Sequence, residues 1–416
     1  MNEWITPSLI KAISQSAGTS HDIALGVLSG LGLESRLKAE GRIDGTKNGT
    51  IDSLFSIQIE DGLAVPNKHL AEAIHVTGPF WPENFDFKKV NAEIQIANGK
   101  VTMNGATCEC GTGSVDVSMS IDGGIFELAL DGYELPISSR LVDVLPDSAS
   151  NALANSWSML QPSGFMDATI RINHTEEIDS LYMKITPNTL VVSGDNKDLE
   201  LQLSSGEVIV ENTDVFFNDL KFSMVQNEKH HGALQIAGFV FGSKDKSQID
   251  LSATLQNATI DSPLTRAITG IVGGDWGLDY YDSLQPIGMG SASLEAKGNL
   301  DDIIYNIEII PTKLIATFTD RLAVMEFGED YENRIRFNNE GIVINDIGGK
   351  LGDGRLNLNG KINTKSNVRG SFQLDWVGPS RDESLFAVLP SAVGDTLEAI
   401  DISDGLSTLP DGLVII

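Results

Sequence analysis

The feature that most constrains this chain is a two-residue hydrophobic period. Val115-Asp116-Val117-Ser118-Met119-Ser120-Ile121-Asp122 alternates apolar and polar residues without a miss. Leu199, Leu201 and Leu203 alternate against Glu200, Gln202 and Ser204, and Leu356, Leu358, Gly360 and Ile362 against Asn357, Asn359 and Lys361. Side chains of a strand point alternately to opposite faces, so this pattern specifies sheets with one apolar and one polar face. A parallel sheet buried on both faces would show unbroken apolar runs instead. Turn signals separate the runs at Asp122-Gly123-Gly124, Ser205-Gly206, Asn339-Glu340-Gly341 and Asp353-Gly354. The 41 glycines fit many turns between many strands, being about a tenth of the chain against roughly 7% in soluble proteins.

The strands recur in a longer pattern. Leu160-Gln161-Pro162-Ser163-Gly164 returns 124 residues later as Leu284-Gln285-Pro286-Ile287-Gly288. A glycine opening an alternating run occurs at Gly113, Gly232 and Gly354, spaced 119 and 122 residues apart. Val144-Leu145-Pro146 returns 244 residues on as Val388-Leu389-Pro390, which is two such periods. Each period also holds one helical candidate: Pro7–Leu28, Ile137–Leu160, Ser262–Leu284 and Glu383–Ile400, with capping residues at their ends. The expected fold is therefore mainly β with one helix per repeat. It is an elongated, curled antiparallel sheet, a repeating β-trough of ~120-residue tandem repeats. The repeats are expected at 1–125, 126–248 and 249–370, with a partial fourth at 371–416.

An apolar face must be covered. One helix per seven or so strands is too small to do it: seven strands make a sheet roughly 34 Å wide, whereas a helix is about 10 Å wide. Either the sheet packs on itself, or it leaves an apolar trough for a ligand. The periodicity leaves both open. The candidate lining of such a groove is Val115, Val117, Met119, Ile121, Leu234, Ile236, Leu356 and Leu358.

Charge excludes several partners. The 58 acids against 29 bases give a formal net charge of −29 with no basic run, which excludes nucleic acid. The same charge disfavours adhesion to an anionic lipid surface.

Catalytic patterns are missing. His21, His69, His75, His174, His230 and His231 form no His-x-x-x-His site, and His230-His231 is expected in a turn before Gly232. The acids Asp275, Asp279, Asp282, Asp301 and Asp302 lack calcium-loop spacing and read as solvated surface. Gly105–Gly113 precedes a strand rather than a helix, so it is not a phosphate cradle. Cys108 and Cys110 would share one face of a strand, where a mutual disulfide is strained, and read as incidental thiols. No metal, cofactor or catalytic residue is expected.

The stretch Leu130–Ile172 runs from a strand through a helical segment to a Leu-x-Pro-x-Gly turn and a further strand. With the Gly-rich hairpin Ile347–Leu356, it resembles the AsmA-like family of bacterial envelope proteins and its TamB-like relatives. The resemblance implies an apolar groove that carries phospholipid or another acyl-chain lipid, in the periplasm or cell envelope. The family's N-terminal membrane anchor has no counterpart here. No signal peptide or apolar span is visible, and Gly412–Ile416 reads as an interrupted strand. The expectation is an internal segment of a longer chain, with membrane contact made elsewhere. The alternative is a structural or carbohydrate-binding β-repeat array of the cell surface.

Overall fold

The computed structural model describes residues 32–45, 51–65, 86–97, 100–122, 125–137, 161–175, 179–194, 197–226, 229–243, 246–266, 278, 281–282, 285–299, 302–318, 321–363, 369–378 and 413–415. Nearly all of these are strand. In order they are β1 (Leu33–Gly45), β2 (Ile51–Ala64), β3 (Phe87–Ala97), β4 (Lys100–Cys110), β5 (Gly113–Asp122), β6 (Ile125–Ile137) and β7 (Ser163–His174). Then come β8 (Asp179–Gly194), β9 (Lys197–Glu211), β10 (Asp214–Gln226), β11 (Lys229–Ser243), β12 (Lys246–Thr259), β13 (Ile287–Asn299) and β14 (Asp302–Phe318). The last are β15 (Arg321–Phe327), β16 (Arg334–Asn338), β17 (Gly341–Leu351), β18 (Gly354–Asn363), β19 (Arg369–Val377) and β20 (Leu413–Ile415). The ladders are antiparallel and mostly join sequence neighbours. The chain forms two compact units: Met1–Val191 with Gly206–Asn218, and Val192–Ser205 with Asp219–Ile416.

In the first unit, the alternation sorts side chains as the period demands. Along β5, Val115, Met119 and Ile121 are buried and Val117 half-buried, while Ser114, Asp116 and Asp122 are exposed. The apolar face continues over the neighbouring strands in one cluster, from Ile59 of β2 to Val210 of β9. In the second unit, Met325, Ile347, Leu351, Leu356, Leu374 and Trp376 form a separate apolar cluster.

This face is kept continuous by a device that strict alternation does not reveal. Along β2 the buried positions run Ile59, then Gly62 and Ala64, a change of parity. The same slip occurs from Gly132 to Leu135, from Leu255 to Ala258 and from Ile344 to Ile347, each at a register shift in the ladder. At every slip two successive residues stand on the polar side, and the second has a left-handed backbone. These are Asp61 (φ 49°), Glu134 (53°), Asn257 (50°) and Asp346 (49°). Lys89 (50°) and Gly105 (65°) make two more. Such β-bulges bend the strand and increase its twist. They also release an amide from the ladder, and in four cases a side chain on the next strand accepts it. Asp61 N donates to Asn91 Oδ1 (3.2 Å), Glu134 N to Asp167 Oδ1 (2.9 Å), Asn257 N to Ser291 Oγ (3.2 Å) and Asp346 N to Asn359 Oδ1 (2.9 Å).

The β5–β8 and β11–β14 segments share local geometry as well as sequence landmarks. A Cβ on Gly113 would lie 2.6 Å from the carbonyl oxygen of the bulge residue Glu134, and one on Gly232 would lie 2.9 Å from that of Asn257. Gln161 and Gln285, in the two Gln-Pro turns, are both left-handed, with φ of 40° and 44°. The register then shifts between Phe165 and Met166 and again between Met289 and Gly290, opposite Pro187 and Pro311 respectively. Proline has no amide to donate, so a bulge is where a strand accommodates it.

Of the four expected helices, Pro7–Leu28 and Glu383–Ile400 lie outside the described residues, as does Ile137–Leu160 beyond Ile137 itself, which ends β6. Ser262–Leu284 is described in part, and residues 263–266 are helical. Ser262 caps this turn: its Oγ accepts the Thr265 amide at 3.2 Å, and Pro263 takes the first helical position, where no amide is needed. His230 and His231 correct one expectation, because they sit at the start of β11 and not in a turn.

The glycine of each Gln-Pro turn gives a test. A Cβ at Gly164 or Gly288 would lie 2.0 Å from the carbonyl oxygen of Thr189 or Lys313. Gly164→Ala and Gly288→Ala are each expected to lower stability by on the order of 1–3 kcal/mol in denaturant titrations. Gly105→Asn, at an open left-handed position, is expected to change it by under about 1 kcal/mol. Equal stability in all three variants would contradict the close approach.

Candidate functional site: the apolar sheet face

The apolar face of the first unit is assembled as rows of cross-strand partners. Met103 pairs with Met119, Met119 with Leu128, Leu128 with Ile172 and Ile172 with Leu181, a row from β4 to β8. The next row runs Ala106, Val117, Leu130, Ile170 and Met183. Such pairs are the unit of sheet stabilisation, each worth about 0.2–1 kcal/mol over an alanine pair. Of the four expected lining residues on β5, Val117 and Met119 stand in these rows, while Ile121 pairs with Val101 and Phe126 and Val115 with Cys108 and Gly132. Burial is deepest near the ends where β3 meets β4 and β5 meets β6, with Ile96, Ile121 and Phe126 at 1%, 0% and 1% exposure. It is shallower around them, where Phe55, Ile57, Val90, Val117, Leu128, Ile170, Leu181 and Ile185 remain half-buried.

In the second unit, Leu234 and Ile236 lie on β11, and Leu356 and Leu358 on β18. Ile236 opens a row through Ala253, Leu294, Ile307, Phe337 and Ile342 to Ile362. Leu356 and Leu358 face Trp376 and Leu374 across β19. Thus Leu356 and Leu358 pack within one cluster, whereas Leu234 and Ile236 belong to a different stretch of the same unit.

The opposite face is ionic and hydrogen-bonded. Asp131 faces Asp116 across β5–β6, and Arg171 relieves this repulsion by gripping both Asp131 oxygens at 3.0 and 2.9 Å. Burial alone would raise the Asp131 carboxyl, but its bonds from Arg171 and Thr169 hold it below the ordinary carboxylate range. Lys184 pairs with Glu207 at 2.6 Å, and Lys89 with Glu109 at 2.7 Å. These pairs are substantially exposed, and exposed pairs contribute little, about 0–1 kcal/mol each. They decide which face meets water.

The residues weighed for chemistry take structural places. Asp282 is bound by Arg266 in two bonds of 2.8 and 2.7 Å, which hold its carboxyl below the usual range. Asp275, Asp279 and Asp301 lie outside the described residues, as do His21, His69 and His75, and Asp302 is exposed at the start of β14. Cys108 and Cys110 are not joined in a disulfide and lie within one apolar cluster with Val115 and Leu130. No group of three or more metal-ligating side chains occurs among the described residues. Among them, too, no helix is long and apolar enough to cross a membrane.

Sequence reasoning missed the residues that fix the bulges: Asn91, Asp167, Ser291 and Asn359. The available signal was a pair of adjacent outward-facing residues breaking the alternation, as in Glu60-Asp61, Tyr133-Glu134, Gln256-Asn257 and Asn345-Asp346. Comparison with protein-family models, curated proteins and solved structures finds no match.

Burial, with the nearby Cys110 and Asp116, pushes the Cys108 thiol up from 9.0 to about 12. The thiolate is the reactive form. Alkylation of the native protein at pH 8 is therefore expected to be far slower than for the denatured chain. The group favours the folded state fully while both states are protonated, below about 9; that contribution fades as pH rises from there towards 12. Rapid labelling of Cys108 at pH 8 under native conditions would contradict this.

Proposed function

We propose that this chain is a lipid-binding, lipid-transfer segment of an AsmA-like, TamB-like envelope protein, whose apolar sheet face shields acyl chains. The observation that carries the reading is the apolar face of the first unit. Its cluster of twelve buried apolar residues, from Ile59 to Val210, is flanked by ten half-buried apolar ones. A sealed core has little reason to leave so many apolar side chains partly wet. Met103, Met119 and Met183 lie in this cluster, and unbranched thioether side chains repack around irregular guests with little strain. Shielding an acyl chain from water stabilises it by about 0.8 kcal/mol per methylene, and no catalytic group is required. We therefore read the chain as non-enzymatic, with a phospholipid or other acyl-chain lipid as its ligand and the periplasm or cell envelope as its location. Contact with the membrane is assigned to parts of the protein outside this chain. We further read residues 113–191 and 232–315 as corresponding parts of successive ~120-residue repeats, on the shared bulges, Gln-Pro turns and bulge-facing glycines.

A second reading, a structural β-repeat array with a permanently closed core, is favoured by the near-zero exposure of Ile96, Ile121 and Phe126. Val117→Asp and Leu358→Asp separate the two. In a lipid-bearing face each variant is expected to keep its β-sheet circular dichroism and to lose most binding of a fluorescent fatty acid. In a closed core each would bury an unpaired charge and unfold its region. Fatty-acid binding at the wild-type level in both folded variants would overturn the lipid reading.

A further inference from the structure

Four of the bulges described above are more than irregularities of the ladder, because each of these is tied by a side chain to the strand beside it. In the first unit Asn91 ties two of them. Its Oδ1 accepts the Asp61 amide of the β2 bulge at 3.2 Å, and its Nδ2 donates to the Lys89 carbonyl of the β3 bulge at 2.9 Å. Both bulge residues are left-handed, at 49° and 50°, a conformation that non-glycine residues hold only when their surroundings enforce it. On the other face, Ile59 just before the β2 bulge and Ile94 and Ile96 further along β3 reach 5%, 3% and 1% exposure. In the second unit, Asn359 Oδ1 accepts the Asp346 amide while Asp346 Oδ1 accepts from Asn357, beside buried Ile347.

A bulge sets how sharply its strand bends and which residues after it face inward. A side chain that holds the released amide therefore holds both quantities. We infer that the polar-face residues Asn91, Asp167, Ser291 and Asn359 are curvature locks. By clamping bulge amides on the outside of the sheet, they keep the apolar residues on its other face packed shut. The device is conformational and holds whether or not the apolar face binds lipid. Its strength is modest, since it rests on a single hydrogen bond at each bulge. A lock of that size opens on a thermal scale, and strain on the polar face would release it.

The experiment compares the whole chain with Asn91→Ala, Asn91→Asp and Ser291→Ala. Amide hydrogen exchange and the fluorescence of the apolar dye ANS are measured without added lipid. In Asn91→Ala the Asp61 amide is expected to exchange about tenfold faster, and dye fluorescence to rise severalfold, with β-sheet circular dichroism retained. Asn91→Asp keeps an acceptor for that amide, so its Asp61 exchange and dye binding are expected near wild type. Ser291→Ala removes a single hydroxyl, and is expected to speed exchange at Asn257 and raise dye binding in the same way. If Asn91→Ala loses its β-sheet signal, the Ser291→Ala comparison decides alone. Faster exchange at the freed amide with dye binding unchanged would overturn the inference, as would an equal dye increase in Asn91→Ala and Asn91→Asp.

Discussion

Everything in each unit of this structure depends on keeping one face of its antiparallel sheet apolar from strand to strand. A strand alternates its faces every two residues, and it also bends only a little unless something forces it. The bulges answer both demands. At Asp61, Glu134, Asn257 and Asp346 an extra outward residue resets the parity, so that apolar side chains after the slip rejoin those before it. Each bulge costs a ladder hydrogen bond and a left-handed residue. The neighbouring Asn91, Asp167, Ser291 or Asn359 restores the bond from the side. The energy of holding the fold is then spread between apolar rows on one face and many small polar contacts on the other.

Much of this was legible in the residues. The alternation of Val115–Asp122 and Leu356–Ile362 marks strands β5 and β18, and Ser262-Pro263 marks a helix start that the structure caps as expected. The Gln161-Pro162 and Gln285-Pro286 turns share a backbone conformation, as their matching sequences suggest. The bulges were not legible, because a slip is fixed by a partner far along the chain: Asn91 is thirty residues from the amide it holds. The break in alternation at Glu60-Asp61 reads locally as a polar turn as readily as a bulge. His230-His231 was read as a turn for a related reason. Polar residues at the end of a strand carry no periodic signal, yet their backbone still joins the ladder of β11. The proline matches Pro187 and Pro311 were also missed, since proline inside a strand argues against a strand until the opposing register shift is visible.

The candidate site shows the same division. Period alone placed Val115, Val117, Met119 and Ile121 on one face, and the structure places them in adjoining rows with Met103, Leu128 and Leu130. Period could not say how deeply that face is covered, because burial depends on sheet curvature and so on the bulges. Deep burial at Ile121 and partial wetting at Val117 and Leu128 show that this face is covered unevenly along β5 and β6. Among the described residues of the first unit, Asp116, Asp131, Arg171, Lys184 and Glu207 stand on the face opposite to it.

The most direct test is solvent extraction of the purified chain followed by mass spectrometry of whatever it carries. An acyl-chain lipid recovered at a near-constant ratio to protein, and retained through size-exclusion chromatography, is the expected result. Protein recovered folded and free of lipid, from cells rich in lipid, would contradict the lipid-shielding reading and leave the sheet's apolar face as a closed structural core.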